Sequence, residues 1–321
     1  MPDAEYVVLL LLCLVAFQCL IARTDGLRFS TTIQCPNTYM RPIVIPLECD
    51  HNNIFLLSLR LNDGIVAKFA ADTGSHSILI AEENCVQSCQ SSEGKDLSTI
   101  HYGSQSSPYH EQTMPLTLEN AYETDCNGNY EHRHNPWLLH SRSTCIRSKP
   151  ARVKIAVDFH GTSEYNVVGL GKRSEFLSKF VPTFPRSVVM HINSRYRATL
   201  MLYQPGVDCI AKNHFMLDNN NRVQGKVNDK KYSILFDTGS NCLVLPSVLY
   251  HEERDSLRIH LAGTTREHIM DIDYNKNNYG NRQVIESTRN NVIIVGVTFL
   301  VGYSVGIIQT RDFSYLTLNS L

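Results

Sequence analysis

The chain lacks the signatures of several large protein classes. It has one Trp in 321 residues, no Asn-x-Ser/Thr sequon and no His-Glu-x-x-His, although His251-Glu252 and Glu267-His268 occur. Without that motif the two-histidine zinc site of helical metalloproteases is excluded. Neither sign of charge is in excess: 30 Lys+Arg against 31 Asp+Glu leave a formal charge of -1, so global charge gives no reason to expect nucleic acid as a partner. Gly 17 and Pro 12 are too few for a collagen-like or linker-dominated chain, and 43% hydrophobic with 19% charged residues excludes a mostly disordered one.

Long apolar runs are also scarce. Val7–Ala22 is the only one, and sixteen residues fall short of the ~20 needed for a membrane span. It reads as the core of a secretory signal peptide over residues 1–22, cut after Ala22. Asp3 and Glu5 stand where Lys or Arg is usual, so an uncleaved signal-anchor stays open. Ten cysteines stand at 13, 19, 35, 49, 85, 89, 126, 145, 209 and 242; removal of the signal leaves eight. An even number in a secreted chain reads as disulfides. Cys85 and Cys89 are close enough to close a small loop, and no further Cys or His pair follows at zinc spacing, so no metal is expected.

What the chain does have is short β-type segments. Ile43–Ile45, Ile54–Leu61, Ile65–Phe69, Val153–Val157, Ser187–Ile192, Thr199–Tyr203, Tyr232–Phe236 and Val292–Val295 are rich in Val, Ile, Leu and aromatics. Turn signals separate them, including Asn62-Asp63-Gly64 and Asp218 to Asn221. Only Glu175–Phe180 and Ser247–Leu257 carry a helical pattern. The expectation is an all-β chain of two closely packed halves.

An internal repeat is the most informative feature. Lys68–Ile80, KFAADTGSHSILI, aligns with Ser233–Leu245, SILFDTGSNCLVL. Each copy is an apolar strand, Asp-Thr-Gly-Ser, and a second apolar strand. One Asp-Thr-Gly is an ordinary turn sequence. Two copies, 165 residues apart, suggest two similar lobes meeting at Asp72 and Asp237. Two carboxylates held close together share a proton, because both cannot ionise cheaply. One can then act as base on a water while the other donates to a carbonyl oxygen, which hydrolyses an amide without a covalent intermediate. Gly74 and Gly239 let the backbone turn beside each carboxylate. The hydroxyls of Thr73, Ser75, Thr238 and Ser240 can fix the loops and bond the carboxylate oxygens.

These motifs resemble the pepsin-like aspartic endopeptidases over roughly Ile43 to Leu318. The resemblance implies a bilobal fold, with an N-terminal lobe at 39–185, a C-terminal lobe at 186–321, an active-site cleft between them and a short pro or linker segment at 23–38. It implies Asp72 and Asp237 as the catalytic pair and a reciprocal hydrogen-bonded grip through Thr73 and Thr238. It places the family's small disulfide at Cys85–Cys89. Ile100–Ser104 looks like the flap, with Tyr102, Gly103 and Ser104 over the substrate. Val167–Gly171 and Ile293–Leu300 resemble the glycine segments behind the two loops, and Tyr203–Asp208 resembles the start of the second lobe's substrate-side segment. The chain departs from the family at Ala71, at Ile78–Ala81 where a Trp is usual, at Val297 in place of a common Asp, and in a flap with a single Gly. The implied activity is cleavage of an extended polypeptide at acidic pH, by a monomer needing no cofactor, nucleic acid or membrane after signal cleavage. The implied location is outside the cell or in the lumen of the secretory or acidic endomembrane pathway. The alternative is an inactive relative that binds peptide or protein. A one-motif, dimeric retroviral-type protease does not fit two motifs in one chain.

Overall fold

The computed structural model describes residues 42–62, 64–85, 89–102, 105–123, 146–157, 166–204, 214–252, 256–263, 267–273 and 283–321. The expected signal and linker segments, Gly103, Ser104, Cys126, Trp137, Cys145, Pro205–Asp208 and Cys209 lie outside these residues. Among the described residues no helix is long and apolar enough to cross a membrane.

Among the described residues the architecture is nearly all β, in two hydrogen-bonded sheets of sixteen and seven strands. The expected strands all form. Alternation of apolar and polar residues dictates the faces of the half-buried ones. In Val223–Val227 positions 223, 225 and 227 are buried while Gln224 and Lys226 are exposed. The central strands have no polar face to spare. Ile78–Ala81 and Asn166–Gly169 are buried at every position, as suits strands covered on both sides. Phe55, Phe69, Phe176, Ile78 and Ile80 join one continuous core. Each such side chain contributes about 1.5–3 kcal/mol by leaving water.

The same pattern of three strands occurs once in each sheet. In the large sheet Asn166–Gly169 runs parallel to Val66–Asp72 and antiparallel to Ile78–Ala81. In the small sheet Val292–Gly296 runs parallel to Lys230–Asp237 and antiparallel to Cys242–Pro246. A hairpin partner precedes each: Phe55–Arg60 pairs with Val66–Asp72, and Val223–Val227 with Lys230–Asp237. The large sheet also pairs Ile43–Cys49 with Arg197–Tyr203, so it takes strands from both sides of position 185.

The helix Glu175–Phe180 follows from its sequence. Ser174 caps it, accepting from the Leu177 amide at 3.0 Å; Glu175 and Lys179 pair at i,i+4; Phe176, Leu177 and Phe180 face the core. The second helical expectation, Ser247–Leu257, is corrected. Among the described residues of that span only Ser247–Tyr250 is helical, and Ser256–Ala262 is a strand. Leu257, Ile259 and Leu261 are buried and alternate with Ser256, Arg258 and His260, so the period of two wins over the helical one.

Candidate active site

Asp72 ends the strand Val66–Asp72 of the large sheet, and Asp237 ends Lys230–Asp237 of the small one. The glycine strand of each half stands in register with its aspartate: Gly169 opposite Asp72, and Gly296 opposite Asp237. Glycine is required at both places by space. A Cβ on Gly169 would lie 2.5 Å from the His76 backbone, and one on Gly296 2.4 Å from the Cys242 carbonyl oxygen. That close approach lets Leu170 N–H donate to Asp72 O at 2.6 Å and Val297 N–H to Ser240 O at 2.7 Å, fixing each loop from behind.

The two loops interlock through their threonines. Thr73 Oγ1 donates to Phe236 O at 2.6 Å and accepts from Thr238 N–H at 3.1 Å. Thr238 Oγ1 donates to Ala71 O at 2.5 Å and accepts from Thr73 N–H at 3.1 Å. Both threonines are buried.

The carboxyls repeat the exchange. Gly74 N–H donates to Asp72 Oδ1 at 2.7 Å and Gly239 N–H to Asp237 Oδ1 at 3.0 Å. A Cβ on Gly74 would lie 2.8 Å from Asp237 Cγ, and one on Gly239 2.7 Å from Asp72 Cγ. Each carboxyl therefore rests against the glycine of the other loop, and the two carboxyls hydrogen-bond to one another. Loss of hydration raises the Asp237 carboxyl well above the usual carboxylate range. The charge of Asp72 and their hydrogen bond push the same way, against smaller opposite pulls from the Gly239 and Ser240 amides. The arrangement can hold one proton between two carboxyls and so present an acid and a base together.

The raised Asp237 carboxyl sets a pH dependence. Ionising it costs more in the fold than in the unfolded chain, so the stability it contributes is full below its unfolded pKa and lost as pH rises through the folded value. Asp237→Asn is expected to raise Tm at neutral pH and to lose that advantage at acid pH, each 1 kcal/mol being worth about 2–4 °C in a chain of this size. Paired melting curves across pH check it; an advantage that does not shrink on acidification overturns it.

The other sequence-derived positions fall as follows. Cys85 and Cys89 form a disulfide with Cα atoms 5.3 Å apart, directly after the strand Ile78–Ala81. Tyr102 ends the strand Ser98–Tyr102, which forms a hairpin with Gln105–Met114. The expected hydroxyl bonds to the carboxylates are corrected. Ser75 Oγ is buried without a hydrogen-bond partner, and Ser240 Oγ accepts from Cys242 N–H at 3.3 Å. The Thr-Gly turn brings backbone N–H groups to the carboxyl oxygens, and the hydroxyls point elsewhere. Among the described residues Cys49 and Cys242 are free thiols, while Cys35, Cys126, Cys145 and Cys209 lie outside them. Burial pushes the Cys242 thiol up, with the nearby Asp237 charge adding to it. Among the described residues no His, Cys, Asp and Glu cluster is arranged to hold a metal.

Three asparagines bracing these loops escaped the motif reading. Asn221 Nδ2 donates to Gly74 O at 3.1 Å, and Asn241 Nδ2 to Asn52 O at 3.2 Å. A second, shorter repeat marks two of them: Asp50-His51-Asn52-Asn53 and Asp218-Asn219-Asn220-Asn221 precede the two aspartate strands. A scan against protein-family models returns no match for this sequence, and no curated protein matches it.

Proposed function

We propose that the protein is an aspartic endopeptidase of the pepsin-like, bilobal kind. The observation that carries this reading is the two-fold exchange between the Asp72 and Asp237 loops, in which each carboxyl lies against the opposite glycine and the two share a hydrogen bond. The matching three-strand units behind them support two similar lobes, with a substrate cleft where the aspartates meet.

In this mechanism a water activated by the ionised member of the pair attacks the peptide carbonyl. The protonated member donates to the carbonyl oxygen, and the proton passes on to the leaving nitrogen as the C–N bond breaks. The substrate is an extended polypeptide, with apolar residues favoured around the cut. The hairpin that Tyr102 belongs to acts as the flap. Hydrolysis is fastest at acidic pH, because one carboxyl must keep its proton. That optimum suits secretion or an acidic lumen, where the Cys85–Cys89 disulfide is also stable. The protein works as a monomer, since one chain supplies both aspartates.

The test is hydrolysis of an unfolded protein by the purified chain from about pH 3 to about pH 7, with and without pepstatin. Cleavage that rises toward acid pH and is blocked by pepstatin is expected. Absence of cleavage by folded, disulfide-bonded protein overturns the reading in favour of a peptide-binding relative.

A further inference from the structure

The repeated Asp-x-Asn-Asn segments fold alike. Asp50 Oδ1 accepts from Ile54 N–H at 2.6 Å, and Asp218 Oδ1 from Arg222 N–H at 2.9 Å. The fourth residue of each, Asn53 (φ 63°) and Asn221 (φ 60°), is left-handed, a conformation that Asn tolerates better than most residues. The Asp218–Arg222 turn leads into the small sheet, yet Asn221 reaches the first aspartate loop, which belongs to the large sheet. The Asp50–Ile54 turn leads into the large sheet, yet Asn52 O receives Asn241 of the second loop. Each turn thus braces the aspartate loop of the other half.

The two braces differ in what they hold. The Asn241 bond begins two residues beyond Gly239. The Asn221 bond ends on Gly74 itself, which, like Gly239, touches both carboxyls: its N–H donates to Asp72 Oδ1 and its Cα faces Asp237. Asn221 is only 8% exposed, and its Oδ1 is fixed by Lys172 N–H at 2.6 Å. Gly171 leaves room for it, since a Cβ there would lie 2.5 Å from Asn221 Nδ2. Gln309, buried, holds the Gly171 carbonyl at 2.9 Å and is itself held by Arg186 Nε at 2.9 Å. One left-handed residue donates to Gly74 and accepts from Lys172, and an uncharged amide side chain does both through separate atoms.

We propose that Asn221 is a positioning residue for the carboxyl pair, acting through the Gly74 peptide to set the separation of Asp72 and Asp237 and so the sharing of their proton. Its kinetic consequence rests on the endopeptidase reading; its effect on the titration of the pair does not. Releasing Gly74 lets the two carboxyls move apart, and the two apparent pKa values of the pair draw together. Among the described residues His76 interacts with Asp72 and Cys242 with Asp237, while Lys154 and Arg173 act on His76; all four are the same in every variant below.

The test compares wild type with Asn221→Gly, Asn221→Asp and Asn220→Ala. Gly keeps the left-handed backbone and removes the amide. Asp keeps the acceptor for Lys172 N–H but, once ionised, cannot donate to Gly74 O. Asn220 is exposed in the same turn and controls for damage to the turn. Two readouts are taken: kcat and KM on a cleaved peptide across pH, and titration of the two carboxyls by NMR on carbon-labelled Asp. Asn221→Gly is expected to lower kcat roughly 10- to 100-fold, the scale of a misplaced catalytic group, with KM within about twofold. It should also narrow the gap between the two apparent pKa values. Asn221→Asp is expected to recover toward wild type as pH falls below about 4, where its carboxyl regains a proton to donate. Asn220→Ala is expected to match wild type. An unchanged titration in a folded Asn221→Gly, or an equal loss in Asn220→Ala, overturns the proposal. If wild type cleaves nothing, the endopeptidase reading fails and the carboxyl titration alone decides the role of Asn221.

Discussion

Asp72→Asn and Asp237→Asn are each expected to lower hydrolysis by on the order of 10³-fold or more, the upper range for removing a positioned acid or base. An amide has no proton to lose or share, so either change leaves one carboxyl with no coupled partner. Shape is nearly preserved. Asn Oδ1 still accepts from Gly74 N–H or Gly239 N–H, the bonds that hold each carboxyl at 2.7 and 3.0 Å. KM should therefore change little while kcat collapses. The two losses should not add in the double variant, since the first already dismantles the pair. A single variant keeping a tenth of wild-type activity would show that the two carboxyls do not act as a unit.

Thr238→Val is expected to cost roughly 2–6 kcal/mol of stability. Valine fills the same volume but deletes the hydroxyl that donates to Ala71 O at 2.5 Å and accepts from Thr73 N–H at 3.1 Å. Two backbone groups are then left buried without partners, at about 1–3 kcal/mol each. Against a typical total of about 5–15 kcal/mol this is a large share. Denaturant unfolding reads it directly, and Thr238→Ser, which keeps the hydroxyl, should recover most of the loss. A cost under about 1 kcal/mol would mean that water or a shifted backbone satisfies both groups. Because the same bonds tie the two aspartate loops together, activity should fall with stability in the valine variant.

The strands were legible because their burial is dictated locally. Runs such as Tyr232–Phe236 and Val292–Val295 are apolar, bounded by turn residues, and sit where strands form. The aspartate pair was legible because its sequence occurs twice. The resemblance anticipated the crossed threonine bonds, and the structure has all four. Other features were not legible. The ends of Ser247–Leu257 carry both a helical and an alternating pattern, and only burial of Leu257, Ile259 and Leu261 settles which prevails. The serine hydroxyls were assigned to the carboxylates from proximity in sequence, whereas backbone N–H groups occupy those oxygens. Asn221 lies 147 residues from Gly74, and nothing in a turn sequence says which distant carbonyl its side chain will meet.

The placement of the glycine strands also sets an order of assembly. Val66–Asp72 and Ile78–Ala81 are nearly adjacent in sequence but leave a slot between them, filled by Asn166–Gly169; the contact of Ala81 with Asn166 spans 85 residues. The second half repeats the device with Val292–Gly296. While a slot is open its two edges present unpaired amides and carbonyls, and closing it is a non-local, slow event. A ribosome-bound chain thus exposes both aspartates well before residues 292–297 emerge to close the loop around Asp237. In that interval the nascent chain carries Asp72 and Asp237 as two separate carboxyl groups, not yet a pair.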